Sequence, residues 1–401
     1  MSHGLPILRD LLLVAGVSLA VLAVFGRLRL PPAAGLIASG ILLGPAGFGL
    51  VRDAGLVGTL AEFGVMLLLF TVGLEFSVAD FRRLGRSALI GGPLYVGLVT
   101  TAAGAVFLAA GVHPAPAILF GLLTALSSTA VVFRVLMDRA ELGSPHGRWV
   151  TGVLVFQDLM VIPAAIALPA LARWYGGAAP GTQVGSPVVQ FVTLAALAVM
   201  ALASGKIVPW LVQRASRARS REAFLFGVVL VALGGAYAAS LAGLSPALGA
   251  FVVGLILANS ELRTQVEADV LPLRDMLASV FFVTIGMLLD RQVLLERPVL
   301  VLMTTMGLLA LKLVIGYAAL RLAGASGRVS FAAALTLAQV GEFSFVLLQA
   351  AAPAGLVPPV GGQAFLAGAI VSLALTPWLV ARAPEWAIAW DLRFGGAARS
   401  E

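Results

Sequence analysis

Long apolar runs separated by short charged loops make up most of this sequence of 401 residues. A run of about 20 apolar residues is long enough to cross the hydrocarbon core of a bilayer as an α-helix. The pattern therefore predicts an all-α integral membrane protein, formed by a single domain over residues 1–401. Thirteen membrane-spanning helices are predicted at approximately residues 6–26, 31–50, 56–76, 87–111, 115–137, 147–173, 187–212, 222–241, 246–259, 269–289, 298–322, 329–351 and 362–382.

Composition excludes several classes of function. Hydrophobic residues make up 60% of the chain and charged residues 11%, whereas globular proteins contain about 25% charged residues. The mean hydropathy is +1.03. Because the basic residues lie in loops, the net charge of +7 indicates membrane anchoring rather than nucleic-acid binding. Cysteine is absent, and His3, His113 and His146 lie outside the predicted spans, so we expect no enzymatic activity, no cofactor and no thiolate or imidazole metal site.

Arginine is distributed unevenly between alternate loops, and this asymmetry predicts the orientation. One set of loops holds most of the arginines, including the cluster within residues 214–221, whereas the other set holds only Arg9, Arg52, Arg173, Arg291 and Arg297. The positive-inside rule places the arginine-rich set in the cytoplasm. The sequence thus predicts a protein of the cytoplasmic membrane with its N-terminus outside and its C-terminus in the cytoplasm.

Two of the predicted spans carry polar clusters at mid-depth. The fifth span contains Ser127, Ser128 and Thr129, and the twelfth contains Gly341 among polar residues. Serine and threonine can satisfy backbone groups that an unwound helix exposes, and glycine permits the unwinding. Two broken helices are therefore predicted, with Ser127 and Gly341 at the breaks. The alternative is that the hydroxyl groups bond to carbonyl groups within unbroken helices.

The positions of the two predicted breaks indicate an internal repeat. Seven spans separate the fifth helix from the twelfth, and an odd offset inserts the two halves of a repeat with opposite topology. Inverted repeats with broken helices are typical of secondary transporters. The halves are predicted at approximately residues 31–173 and 246–382, with a linking segment at 187–241.

Asp158 is the ionisable residue nearest the predicted membrane midplane. It follows Gln157 in an apolar span, where an ionised carboxylate costs roughly 2.5–3.5 kcal/mol on insertion scales. Such a carboxylate persists when it holds a proton or a cation, and exchanging one for the other is antiport. The alternative is a structural ion pair with Lys312, the mid-span lysine of the eleventh helix. Lys312 is accordingly predicted to be either a displaceable counter-charge or a structural one.

Two further charges follow the predicted breaks. Arg134 lies a few residues after the first break, and Glu342 directly follows Gly341 at the second. We predict that these are structural charges. Arg134 would pair either with Glu342 or with Glu141 and so fix the crossing of the broken helices.

Five motifs in the same order resemble those of the Kef-type cation:proton antiporters, a branch of the sodium/hydrogen exchanger superfamily. The motifs are Phe156-Gln157-Asp158 with a following Ile-Pro, and the segments at residues 67–76, 125–132, 281–290 and 339–345. The resemblance implies thirteen helices, a homodimer, and a core domain that moves like an elevator against a dimerisation domain. It also implies that Asp158 binds cation and proton in turn, with Gln157, Ser128 and Thr129 as neutral ligands.

The residue before Asp158 bears on the charge balance of the exchange. Electrogenic relatives carry two adjacent aspartates here, and this chain has Gln157 as the first of the pair. One acid that exchanges one proton for one cation moves no net charge, so the resemblance implies electroneutral exchange. Potassium is the favoured ion, and sodium is the alternative.

The sequence departs from the Kef-type pattern after its last span. Many members continue into a cytoplasmic nucleotide-binding domain, but no GxGxxG motif follows the last predicted span. We therefore expect no C-terminal nucleotide-binding domain. Regulation by a separate cytoplasmic subunit is the alternative. Two functions are alternatives to cation:proton antiport. One is a gated cation channel, for which the sequence shows no filter-like loop, and the other is a proton-coupled carrier of a small organic solute.

Overall fold

The computed structural model describes residues 4–28, 30–51, 54–75, 85–176, 208–214, 216, 220–241, 246–258 and 260–394. A π-helical turn, Ser87–Gly91, leads into α4, and residues 208–214 are also helical. The helices of the described residues are α1 (Gly4–Arg27), α2 (Pro32–Leu43), α3 (Ala54–Glu75), α4 (Gly92–Ala109), α5 (Pro114–Ala125), α6 (Thr129–Asp138), α7 (Pro145–Trp174), α8 (Arg221–Leu241), α9 (Pro246–Leu257), α10 (Arg263–Met287), α11 (Arg291–Glu296), α12 (Pro298–Leu322), α13 (Gly327–Thr336), α14 (Glu342–Ala351) and α15 (Pro359–Phe394).

The all-α membrane class is confirmed. Within the described residues, nine helical segments are long and apolar enough to cross a membrane. Every predicted span that falls in this part of the chain coincides with a helix or a broken pair of helices. The predicted span at residues 187–212 lies outside the described residues up to position 207, and so does the corresponding part of the predicted linking segment at 187–241.

The last helix extends beyond its predicted end. α15 continues to Phe394 rather than stopping near residue 382, and it contains Pro377 and Pro384 in its interior. An interior proline removes one helical hydrogen bond, but the helix gains contacts further on. Ala387 packs in a buried cluster with α13, and the ring of Trp390 stacks on Phe331 with centroids 4.9 Å apart.

The chain divides into two compact units. The first comprises Met1–Ala15, Leu50–Asp80 and Pro180–Ile285, and the second comprises Gly16–Gly49, Phe81–Ala179 and Gly286–Glu401. Each unit draws helices from both predicted repeat halves, so the halves are not themselves the compact units. The single domain over residues 1–401 stays a prediction.

The first unit has a core in which α3, α8 and α9 pack together. Phe70, Phe224 and Val253 are buried there, one from each helix. α3 and α9 approach so closely that a Cβ atom at Gly254 would overlap the carbonyl oxygen of Phe70. Small residues at helix contacts permit this approach in membranes, and the backbone oxygen has no room to move aside.

The second unit has a core formed mainly by α4, α6, α7, α12 and α13. Tyr95, Val132, Leu154 and Ala333 are among its buried residues. This core surrounds the two predicted helix breaks, and it determines which polar side chains reach them.

We expect Gly254→Ala to destabilise the protein by about 1–3 kcal/mol, because the added methyl group meets fixed backbone. Thermal unfolding in detergent, followed by intrinsic fluorescence, measures the change. Gly58→Ala on α3 is the matched control, since a Cβ atom there has nothing within 4 Å. Equal midpoints for the two variants would contradict the close approach of α3 and α9.

Candidate functional site

Both predicted helix breaks are present. α5 ends at Ala125 and α6 begins at Thr129, with Leu126 and Ser128 in extended conformations. The second break runs from the end of α13 at Thr336 to Gly341, which is extended before α14. The alternative of unbroken helices is therefore wrong.

The two breaks cross at hydrogen-bonding distance. Gly341 N donates to Leu126 O at 3.1 Å, and Ser127 Oγ donates to Leu337 O at 2.9 Å. A Cβ atom at Gly341 would overlap the backbone of Ser127. Glycine is thus required at this position because the crossing leaves no space for a side chain.

Lys312 holds the crossing together. Its side chain is fully buried on α12, and Nζ donates to Leu126 O at 2.9 Å, to Ser127 Oγ at 3.0 Å and to Gln339 O. A charged amine has three N–H donors, and the crossing accepts all three. The predicted ion pair with Asp158 is therefore wrong, because oxygen atoms of the two breaks take every proton of the lysine.

Gln157 also stabilises the crossing by hydrogen bonds to the backbone. Its Oε1 accepts from Ser127 N at 3.0 Å, and its Nε2 donates to Ala125 O at 2.8 Å. Both ends of the buried amide are thus bonded to the backbone around the first break. One backbone N–H occupies only one of the two lone pairs of the amide oxygen, so the role of Gln157 as a neutral ion ligand stays a prediction.

Asp158, the next residue, faces a different neighbour. Thr129 Oγ1 lies 2.9 Å from Oδ1 and 3.0 Å from Oδ2 of Asp158, and the carboxylate is half-buried. Thr129 is the first residue of α6, so the acid lies at the N-terminus of a half-helix. The partial positive charge of a helix N-terminus stabilises an anion there. The structure thus brings together Asp158 and Thr129 of the four predicted ligands.

Ser128 has a local structural function. Its Oγ accepts from Val131 N at 3.3 Å and caps α6, while its backbone N donates to Gln339 Oε1 at 3.0 Å. Serine is a favoured N-cap residue because its hydroxyl group satisfies a free N–H of the first turn. Ser128 therefore caps α6, and its role as an ion ligand stays a prediction.

Several residues that support the crossing were not assigned a role from the sequence. Gln339 was noted only as part of a polar cluster, and Tyr95 was not singled out. Tyr95 Oη donates to Leu337 O at 3.1 Å, Ser344 Oγ donates to Leu123 O at 2.7 Å, and Ser372 Oγ accepts from Val340 N at 3.1 Å. Their common signal is a polar side chain within an apolar run, which does not reveal its partner.

The predicted pairings of Arg134 are not found. Arg134 is exposed on α6, whereas Glu342 is buried at the start of α14. Glu141 accepts from Arg139 Nε at 3.0 Å, so Arg139 takes the place that was predicted for Arg134. The two arginines are five residues apart, and only Arg139 reaches the loop that carries Glu141.

We expect Lys312→Met to destabilise the protein by at least about 3 kcal/mol, because it removes three hydrogen bonds from a buried charged donor, each worth about 1.5–3 kcal/mol, and leaves their acceptors unsatisfied. Tyr95→Phe, which removes one neutral hydrogen bond from the same crossing, is expected to cost about 1 kcal/mol. Thermal unfolding of both variants in detergent checks this order. A Lys312→Met variant as stable as Tyr95→Phe would show that Lys312 does not hold the breaks.

Comparison with known proteins identifies the family. The family model described as "Sodium/hydrogen exchanger, transmembrane" matches residues 13–382. The chain is 36% identical over 389 residues to the putative cation/proton antiporter YbaL of Escherichia coli K12. The alignment covers 95% of this chain and 69% of YbaL. It is 34% identical over 373 residues to the putative K(+) efflux antiporter KefB of Alkalimonas amylolytica, covering 92% of this chain and 56% of KefB.

A solved structure has the same fold. The sodium proton antiporter MjNhaP1 from Methanocaldococcus jannaschii matches with a TM-score of 0.66 and 15% sequence identity, over 97% of this chain and 99% of that one. At this identity the likeness concerns the fold alone. Together with the family model and the curated relatives, it shows that the chain belongs to the sodium/hydrogen exchanger transmembrane family, as the membrane domain of a Kef-type cation:proton antiporter.

Proposed function

We propose that this protein exchanges a monovalent cation for a proton across the cytoplasmic membrane, with Asp158 as the group that binds each in turn. The observation that carries the proposal is the half-buried carboxylate of Asp158 held by Thr129 Oγ1 at the start of a half-helix. This acid lies next to the crossing, and its carboxylate bonds to Thr129 at the start of α6. A carboxylate that the fold places at the N-terminus of a half-helix is suited to bind a proton or a cation.

The Asp158–Thr129 pair accommodates both ions chemically. When Asp158 is ionised, the threonine hydroxyl group donates to it, as in this structure. When Asp158 is protonated, its O–H can donate to the threonine oxygen. A bound cation can take both oxygen types as ligands, because hydroxyl and carboxylate oxygens suit hard cations. Binding of proton and cation is therefore mutually exclusive at one carboxylate.

Electroneutral exchange follows from the charges near Asp158. Gln157 is neutral, and the protons of Lys312 are all donated to the crossing. In the proposed exchange Lys312 therefore keeps these partners when a cation arrives. One cation exchanged for one proton at Asp158 then moves no net charge.

Potassium is the favoured cation and sodium the alternative. KefB, to which the chain is similar, is described as a putative K(+) efflux antiporter.

We further propose a homodimer in which one compact unit moves relative to a fixed dimerisation unit, since the chain provides two separate bodies. The N-terminus is placed outside and the C-terminus in the cytoplasm by loop charge, which leaves the cytoplasmic face open to a regulatory subunit. Transport rather than catalysis is the proposed activity.

We expect Asp158→Asn to abolish cation-driven proton movement, because the amide cannot alternate between proton and cation. The measurement uses proteoliposomes with an imposed pH gradient and an enclosed pH-sensitive dye, to which K⁺ or Na⁺ is added. Asp138→Asn, which removes an exposed acid at the end of α6, is the control and is expected to retain exchange. Exchange by the Asp158→Asn variant would refute the proposed role, and the more effective cation identifies the substrate.

Electroneutral antiport makes a separate prediction about membrane potential. We expect the initial rate of K⁺-driven proton movement to be the same when equal concentrations of a permeant anion such as thiocyanate hold the potential at zero and when an inward gradient of that anion makes the inside negative. A rate that follows the potential would indicate net charge movement, for which one acid is insufficient. Potential-driven cation flux without proton movement would instead support the gated channel.

A further inference from the structure

A cavity of about 480 Å³ lies in the second unit beside the helix that carries Asp158. Part of its wall is formed by the loop at residues 142–143. The other lining side chains are Ser87 of the π-helical turn, Phe133 and Met137 of α6, and Arg148 and Thr151 of α7. Among the lining residues that the structure describes, Arg148 carries the only charge.

Helical register places the cavity and the Asp158–Thr129 pair on the same faces of α6 and α7, and we name these two faces the groove. Thr129, Phe133 and Met137 recur at intervals of four residues, which places them within about 80° on one face of α6. On α7, Arg148, Thr151 and Asp158 likewise fall within about 80° of one another. Thr129 and Asp158 are in contact at one end of these faces, and the cavity occupies the other end.

The cavity end of the groove leads to one membrane face. It adjoins the loop between α6 and α7, which the arginine distribution assigns to the cytoplasm. Arg148 is ten residues before Asp158, a distance of about 15 Å along the helix axis. A cation that reaches Asp158 from this face through the groove passes the guanidinium group of Arg148.

We propose that this cavity is the cation's route to Asp158 from that face, and that Arg148 is a positioned charge that lowers the cation's apparent affinity there. The inference rests on the proposed function, and it adds a residue that controls access. Arg148 is exposed at the cavity, and its fixed positive charge repels an incoming cation over about 10 Å at 0.1 M ionic strength. Arg148 does not touch Asp158, so its effect falls on binding rather than on the maximal rate.

The absence of cysteine from the sequence allows a direct test of charge. In Arg148→Cys, the single thiol is modified with methanethiosulfonate reagents that add a trimethylammonium, a methyl or a sulfonate group. Membrane-impermeant charged reagents added to one side select transporters that present the cavity to that side. Initial rates of exchange are then measured against cation concentration on the same side.

We expect the KM for the cation to be about threefold to tenfold lower with the sulfonate than with the trimethylammonium group, with the methyl adduct between them. The maximal rate is expected to be unchanged. The difference in KM is expected to shrink when ionic strength is raised with N-methyl-D-glucamine chloride, because salt screens exposed charges. A purely structural role of Arg148 would not make KM follow the sign of the added charge.

Arg382→Cys, an exposed arginine of α15 that the arginine distribution assigns to the same membrane face, is the control, and its KM on the cavity side is expected to be the same for all three adducts. If Arg148→Cys does not fold, Arg148→Lys and Arg148→Gln make the comparison, and only the glutamine variant is expected to lower KM. Active Arg148 variants whose KM ignores charge would overturn the inference. Absence of exchange in the unsubstituted protein would overturn the proposed function and this inference with it.

Discussion

Backbone groups that are unwound inside a membrane need hydrogen-bond partners, and this requirement organises the second unit. An unsatisfied buried polar group costs about 1–3 kcal/mol, and two breaks expose several such groups at one place. The crossing satisfies them partly by bonding one break to the other. Lys312, Gln157 and Gln339 satisfy most of the rest, since each bonds to backbone atoms of a break. A broken helix is stable here because polar side chains replace the missing helical hydrogen bonds.

The need to satisfy these backbone groups gives Lys312 and Gln157 a different function from Asp158. Lys312 and the amide of Gln157 are committed to the backbone, so changing their partners would disrupt the crossing. The carboxylate of Asp158 bonds to a hydroxyl group, which can act as donor or acceptor. In the proposed exchange, protonation of Asp158 or its occupation by a cation leaves the breaks intact, because neither changes the partners of Lys312 or Gln157.

The geometry of α7 assigns these two functions to adjacent residues. Consecutive positions on an α-helix are about 100° apart, so Gln157 and Asp158 face different neighbours. Gln157 points into the buried crossing, and Asp158 points toward Thr129 and the groove that contains the cavity. A second acid at position 157 would lie against Ser127 N and Ala125 O rather than in the groove. The neutral amide satisfies both backbone groups at once, which a carboxylate without an N–H donor cannot do.

The sequence by itself determined the membrane class, nearly all helix positions in the described part of the chain, both helix breaks, and Asp158 as the central acid. These follow from local properties: the length of apolar runs, the placement of glycine and hydroxyl residues, and the cost of a charge in a bilayer. The sequence did not determine the partners. Lys312 was expected at Asp158 and lies at the crossing, and Arg139 rather than Arg134 reaches Glu141. A polar residue in an apolar run indicates that a partner exists, but which partner it meets depends on how distant helices pack, and only the tertiary structure decides that.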